Sequence, residues 1–338
     1  MRVAVVGATG AVGRELLLIL QQRDFKLDDL RLLASERSSG MKIPFGGVEL
    51  PVETLDEKRF DGVDLAFFCV EADVSKRFVP VALERGAFVI DKSSAFRLKP
   101  EVPLIVPEVN LDSIGKSRLV ANPNCSTIIL VVAVAPLLRK FGIRRIVVCT
   151  YQAASGAGSA AMSELKSQTE EVLKGGEPKP VVFPHPIAFN LFPHIDSFLE
   201  NGYTKEEMKM VDETKKILGD KRILISSTCV RVPVFRAHSE AVHIELKQEA
   251  SVEEVRAVLE KAEGVSLMDK VEENLYPTPL FASGKDKVFV GRIRRDLAFK
   301  NGIAMWVVSD QLRKGAVLNA IQIAERVFNK KKKQRGGK

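Results

Sequence analysis

The opening of the chain, RVAVVGATGAVGRELLLILQQR, constrains the fold more than any other stretch. An unbroken apolar strand runs straight into three glycines spaced G-x-x-G-x-x-G, and these open an amphipathic helix. Gly7 suits a tight turn, Gly10 lets backbone amides approach a pyrophosphate, and Gly13 lets the helix pack close to the strand. A phosphate would then sit at the helix N-terminus, where unpaired N–H groups face it. Glycines often just make turns. The position directly after a first strand is what points to a dinucleotide.

The pattern continues in the same sense. LRLLAS, DGVDLAFFCV and AFVIDKS read as further strands, and VSKRFVPVALERG as a helix between them. Apolar strands with little alternation, linked by amphipathic helices, predict a parallel sheet covered on both faces, the Rossmann-like doubly wound α/β plan. The second strand ends in ASERSSG, where an NAD site would place a carboxylate for the ribose hydroxyls. Here Ser35, Arg37, Ser38 and Ser39 offer donors and a cation, which suits the 2′-phosphate of NADP, with Glu36 as the counter-evidence.

A chain of 338 residues predicts two domains. At 46% hydrophobic and 28% charged it has an ordinary globular composition. The net charge of +8 invites a nucleic-acid partner, but six positive charges sit in the tail KKKKQRGGK. The remaining chain is close to neutral, which argues against nucleic acid and predicts a solvated, disordered tail over 331–338. Four scattered cysteines give neither a disulfide framework nor a zinc pattern, so no metal is expected. The first residues show no signal or transit segment, and IILVVAVAPLL is too short to span a bilayer. These features predict a cytoplasmic protein with no membrane contact.

Beyond residue 124 the pattern changes. RRIVVCTYQ is a strand, AMSELKSQTEEVLKG a helix, and EPKPVVFPHPIAFNLFPHID an irregular excursion. MKMVDETKKIL and SVEEVRAVLEKAEG read as helices, and RILISSTCVRVPVF, EAVHIELKQ, KVFVGRIRRD and NGIAMWVVSD as strands. An α+β domain with antiparallel pairing is expected over 125–308. The first domain is expected over 1–124 with a helical return at 309–330.

Cys125 differs from the other three cysteines. Cys69, Cys149 and Cys229 are embedded in β-prone strings, whereas Cys125 follows the turn Asn122-Pro123-Asn124 and opens an apolar helix. A thiol in a first helical turn meets the positive end of the helix, which favours the thiolate. Such a nucleophile needs a partner for the proton. His185 and His194 lie in the excursion, and His243 shares a strand face with Glu245. His238 lies at a strand mouth. Arg231, a cation among apolar strand residues, should face an anion.

NPNCST, YQAASGAG, CVRVPVFRAHSEAV and DQLRKGAVLNAIQIAE, in that order behind GATGAVG, resemble aspartate-β-semialdehyde dehydrogenases of the bacterial type over nearly the whole chain. The resemblance implies that Cys125 forms an acyl-thioester, His238 is the acid/base and Gln152 orients the substrate. It implies that Arg231 grips a carboxylate, that Glu213 and Lys216 contact the amino group and phosphate, and that Arg97 and Asn124 complete the phosphate site. Thr9, Gly10, Ala11, Val12, Arg37, Ser38, Ser155, Gly156 and Gln311 match positions that hold NADP. The implied reaction is reductive dephosphorylation of β-aspartyl phosphate, in lysine, threonine, methionine and diaminopimelate biosynthesis. A homodimer or homotetramer built through the second, catalytic and dimerisation domain is also implied.

Two other readings compete. An N-acetyl-glutamyl-phosphate reductase would run the same chemistry on a substrate without an ammonium, which Glu213 with Lys216 argues against. A non-catalytic NADP-binding sensor would not need Cys125, Gln152, Arg231 and His238 together.

Overall fold

The computed structural model describes the backbone of residues 1–335 and the side chains of residues 1–328. The chain divides into two compact units, the first from Met1–Asn124 with the segment from Ala316 onward, the second Cys125–Gly315.

In the first unit β1 (Arg2–Val6), α1 (Ala11–Gln22), β2 (Asp29–Ala34), β3 (Lys42–Phe45), β4 (Val48–Thr54), β5 (Leu65–Phe68), α2 (Ala72–Glu84), β6 (Phe88–Asp91), the short α3 (Pro107–Asn110) and β7 (Leu119–Ala121) build a seven-stranded sheet in the order β3-β4-β2-β1-β5-β6-β7. All pairs are parallel except the β3–β4 hairpin, which turns at Gly46-Gly47. Leu65 to Phe68 are all buried, as a strand covered on both faces requires.

The second unit holds α4 (Cys125–Phe141), β8 (Ile143–Gln152), α5 (Ser159–Leu173), α6 (Lys205–Leu218), β9 (Leu224–Arg231), β10 (His238–Leu246), α7 (Val252–Glu260), β11 (Val265–Leu267), α8 (Pro279–Ala282), β12 (Val288–Arg295) and β13 (Gly302–Ser309). Its six-stranded sheet has the order β11-β12-β13-β10-β8-β9. The expected antiparallel pairing holds for β8–β10, β10–β13 and β12–β13, but β8–β9 and β11–β12 are parallel. The β8–β9 crossover is the long segment through α5, the excursion and α6, and this permits the parallel pairing.

The return to the first unit starts at Ala316, not at 309. Residues 310–315 stay with the second unit because the Asp310 carboxylate accepts from Arg236 Nε and the Gly284 amide, both at 2.6 Å, and from the amides of Leu312 and Arg313. The last helix, α9 (Leu318–Arg335), joins the first unit through Asn319, which donates to the Ile105 carbonyl and to Asn122 Oδ1. The expected disordered tail is corrected as far as Arg335, since α9 continues that far; residues 336–338 lie outside the described residues.

Candidate active site

In the first unit the glycine loop has the geometry its sequence predicts. Gly7 takes φ +86°, and a side chain there would meet the Cys69 carbonyl oxygen at 2.4 Å. A Cβ at Gly13 would fall 2.2 Å from the Gly7 oxygen, so this glycine sets the helix-to-strand approach. Around Gly10 the nearest atom to such a Cβ is 3.5 Å away, so nothing in the fold itself demands a glycine there. What remains is the need to keep the mouth of α1 open, where Gly10 is the N-cap residue and Ala11 and Val12 begin the helix. Thr9 Oγ1 approaches Ser38 Oγ at 3.4 Å, which brings the loop beside the turn Glu36–Ser38. Ser35, Arg37 and Ser39 are exposed around it. A donor-rich rim with one guanidinium beside an open helix N-terminus fits a dinucleotide carrying an extra phosphate. Arg97 is buried on the loop after β6, where Nη2 donates to the Lys92 carbonyl at 2.6 Å.

The second unit gathers the chemistry. Cys125 is the first residue of α4, directly after the buried Asn124, at the positive end of the helix. Gly315 lies in a single wide turn, Arg313–Val317, and its Cβ would sit 3.3 Å from that of Cys125. The remaining cysteines differ from it. Burial pushes the Cys69 thiol up to about 12 and raises Cys229 further, while Cys149 lies in mid-strand opposite Ala241.

Gln152 and Arg231 end the parallel pair β8–β9 directly opposite each other. Both are buried. Arg231 Nη1 donates to the Ala153 carbonyl at 2.6 Å, and its guanidinium lies over the Phe183 ring, 5.5 Å from the centroid. Burial pulls the Arg231 guanidinium down, and the Glu206 carboxylate and Cys125 sulfur work to restore it, so both groups lie within its field. It stays charged, as arginine does even when desolvated.

Glu206 is a buried acid beside Gln152 that the sequence analysis does not single out. Gln152 Nε2 donates to its Oε1 at 3.3 Å, and Lys209 Nζ to its Oε2 at 3.2 Å. Lys209 also reaches Asp196 Oδ2 at 2.7 Å. Burial opposes the Lys209 charge, but Glu206 and Asp196 together hold its ammonium above its ordinary value. Glu213 and Lys216, expected in these roles, sit seven residues further along the same helix. That is two turns and about 10 Å of rise away from the Gln152–Glu206 contact. Glu213 is buried. The Glu-x-x-Lys spacing occurs twice in KEEMKMVDETKK. The signal for the first copy is Thr204, which caps α6 through a capping box with Glu207 and so puts residue 206 in the first turn.

His238 opens β10 on the buried face it shares with Glu240 and Val242. Its Nδ1 accepts the Ala153 amide N–H at 3.1 Å, which places the proton of the neutral ring on Nε2. Burial pushes the imidazole well below its ordinary value, and the Arg231 cation adds to this. Nε2 has no hydrogen-bond partner among the described residues, and a side chain at Gly156 would come within 3.2 Å of it. A neutral ring held this way presents its Nε2–H as a hydrogen-bond donor. Ser155 and Gln311 are joined, Gln311 Nε2 donating to Ser155 Oγ. His185 and His194 rest on Phe192 and Phe198 instead.

A nucleophile at a helix start, an N–H donor and alternating fixed charges form one constellation. Known proteins match the chain over nearly its whole length. The sequence profile of the semialdehyde dehydrogenase NAD binding domain matches residues 2–117, and that of the semialdehyde dehydrogenase dimerisation domain matches residues 134–314. An aspartate-semialdehyde dehydrogenase of Aquifex aeolicus is 53% identical over 329 residues, covering 96% of this chain and 97% of its own. The chain belongs to the aspartate-semialdehyde dehydrogenase family. Among solved structures, the Vibrio cholerae aspartate semialdehyde dehydrogenase II complexed with ASA superposes with a TM-score of 0.94 at 46% identity, covering 97% of this chain and 98% of that one. The Candida albicans family member solved with NADP gives 0.74 at 25% identity, covering 96% and 97%. Among the described residues no group of acidic, histidine or cysteine side chains has a metal-binding arrangement, and no helix is long and apolar enough to cross a membrane.

Proposed function

We propose that the protein catalyses the NADPH-dependent reduction of β-aspartyl phosphate to aspartate β-semialdehyde and phosphate through an acyl-thioester on Cys125. The observation that carries this is the charge sequence around the sulfur. Arg231, Glu206 and Lys209 present plus, minus and plus on elements of one unit. The substrate carries carboxylate, ammonium and phosphate, which is the complementary series.

Each group has a definite task. The Cys125 thiolate, stabilised by the amides opening α4, attacks the β-carbonyl carbon, and phosphate leaves with the bonding electrons. Arg231 clamps the α-carboxylate through its planar fork, and Glu206 receives the ammonium. Lys209 holds the phosphate, and Arg97 and Asn124 keep the phosphate role that the resemblance gives them. NADPH, when bound, supplies the hydride that reduces the thioester. The residues that fit it are the glycine loop from Gly7 through Thr9 and Gly10 to Gly13, with Ser35, Arg37 and Ser38 at the 2′-phosphate. His238 Nε2–H donates a hydrogen bond to the carbonyl oxygen as negative charge develops there. Collapse of that oxyanion expels the Cys125 thiolate and releases the aldehyde, so no side chain has to change its protonation state.

Glu206 also decides between the two acyl phosphates. An acetylated substrate has no ammonium to meet the Glu206 carboxylate and forgoes that charge-assisted contact. The test is phosphate-dependent reduction of NADP by aspartate semialdehyde. The native protein should require phosphate, and Cys125→Ala should be inactive. NADP binding without turnover in the native protein would refute the assignment.

The protein works as a homodimer in the cytoplasm. The outward face of β8, β10 and β13 carries the half-exposed Val147, Tyr151, Ala241 and Trp306, with the Tyr151 and Trp306 rings 5.4 Å apart. This face, in the unit that matches the dimerisation profile, is the seat of the second copy. Light scattering on Trp306→Arg checks it: a monomer is expected, and an unchanged dimer would place the contact elsewhere.

A further inference from the structure

Ala237, the residue immediately before His238, is held at φ +74°, a left-handed conformation that an alanine resists. It is fully buried, and its methyl packs with Ala282, Phe289 and Val308. That packing gives the side chain a reason to be present in spite of the strain. A strained residue of this kind persists only where its surroundings over-determine it. Here the surroundings are two consecutive side chains. Gln311 Oε1 accepts the Ala237 amide N–H at 2.8 Å, and the Asp310 carboxylate accepts from Arg236 Nε at 2.6 Å. Gln311 Nε2 donates in turn to Ser155 Oγ. Ser155 lies two residues from Ala153, whose amide is the one that Nδ1 of His238 accepts. The loops themselves are laced together, the amides of Ala154 and Ser155 donating to the carbonyls of Val234 and Phe235.

We propose that Gln311 is a positioning residue for His238: it holds the strained Ala237 peptide on one side and the Ser155 turn on the other, and so keeps the His238 ring on the Ala153 amide with its Nε2–H directed into the site. The inference rests on the donor role of His238 given above. It departs from the cofactor role that the resemblance gives to Gln311, because the Gln311 amide contributes both an acceptor and a donor to the frame of the histidine. Its effect belongs to the step in which charge develops on the substrate oxygen. Displacing the ring by about 1 Å is expected to lower turnover on the order of a hundredfold, with the affinity for NADP little changed.

The test compares Gln311→Met, which keeps volume but loses both hydrogen bonds, with Ala237→Gly and with the double variant. A glycine in place of Ala237 adopts φ +74° without strain, so the Ala237→Gly backbone needs the Gln311 bond less. The expected result is a fall in kcat for Gln311→Met, an NADP KM within about threefold of native, and partial recovery of kcat in the double variant. A large rise in the NADP KM with kcat retained, or a double variant no better than Gln311→Met, overturns the proposal. If Gln311→Met does not fold, a folded double variant supports the link through Ala237, and an unfolded one overturns it. His238→Ala is the separate control. Native turnover in that variant would remove the role of His238 itself, whereas a failed recovery beside an inactive His238→Ala removes only the role of Gln311.

Discussion

The amide N–H of Ala153 donates to Nδ1 of His238 at 3.1 Å, and the carbonyl of the same residue accepts from Arg231 Nη1 at 2.6 Å. One peptide residue thus fixes both the tautomer of the histidine and the direction of the arginine fork. Because Nδ1 is already an acceptor, protonating the ring would set two N–H groups against each other. Burial and the Arg231 charge depress the imidazole further.

The first consequence is a pH profile without a histidine limb. His238 should stay neutral well below the ordinary value of about 6.5, so kcat should not fall as pH drops through that value. Replacement separates the roles. His238→Gln retains a donor without a titrating group and should keep more activity than His238→Ala, which should lose about a hundredfold to a thousandfold. Steady-state kinetics from mildly acidic to neutral pH reads both, and equal losses for the two variants would contradict the donor role.

The two Glu-x-x-Lys copies on α6 make opposite predictions. Glu206→Gln should raise the KM for aspartate semialdehyde and lower kcat/KM by about tenfold to a hundredfold, as expected when a charge-assisted contact to the ammonium is lost. Glu213→Gln should leave that KM near native and act on stability alone. The reverse pattern would restore the assignment implied by the resemblance.

Glu240 lies fully buried two residues after His238, and neither of its carboxyl oxygens has a hydrogen-bond partner among the described residues. Burial raises its carboxyl well above the ordinary value, so the folded protein keeps the proton that the unfolded chain releases. Between the ordinary carboxylate range and that raised value the folded state binds more protons, and stability must fall as pH rises. Glu240→Gln removes this slope. Denaturant unfolding should show the variant more stable than native at neutral pH, with the difference closing as pH falls into the ordinary carboxylate range. A gap that widens toward low pH would show Glu240 ionised in the fold.

Gly10→Ala and Gly13→Ala should fail in different ways. At Gly13 the new methyl meets backbone at 2.2 Å, and overpacking of this kind costs about 1–3 kcal/mol or more of stability. At Gly10 the fold has room, with 3.5 Å to the nearest atom, so the variant should melt like native and lose NADP affinity. Thermal unfolding with nucleotide titration checks the pair. Unchanged NADP binding by Gly10→Ala would remove the loop from the cofactor site.

Much of this was legible in the chain because it is local. The apolar run of β1, the glycine spacing and the periodicity of α1 occupy consecutive residues, and Cys125 is punctuated by the turn before it. The β3–β4 hairpin is hard to read in the sequence because Pro44, Pro51 and two glycines obscure the alternation of its strands. Glu206 and Glu213 look alike in the sequence because a helix repeats its faces every seven residues, and only the contacts of the first turn of α6 with β8 and β9 separate one copy from the next. Ala237 carries no sequence signal, since a left-handed alanine looks like any other until its amide is seen bound to Gln311.

The most direct measurement is to mix the native protein with β-aspartyl phosphate in the absence of NADPH and map the adduct by peptide mass spectrometry. One aspartyl group should appear on the peptide bearing Cys125, be discharged as aspartate semialdehyde when NADPH is added, and be absent from Cys125→Ser. Turnover with no adduct on Cys125, or an adduct on Cys149 that NADPH discharges, would contradict the acyl-thioester account.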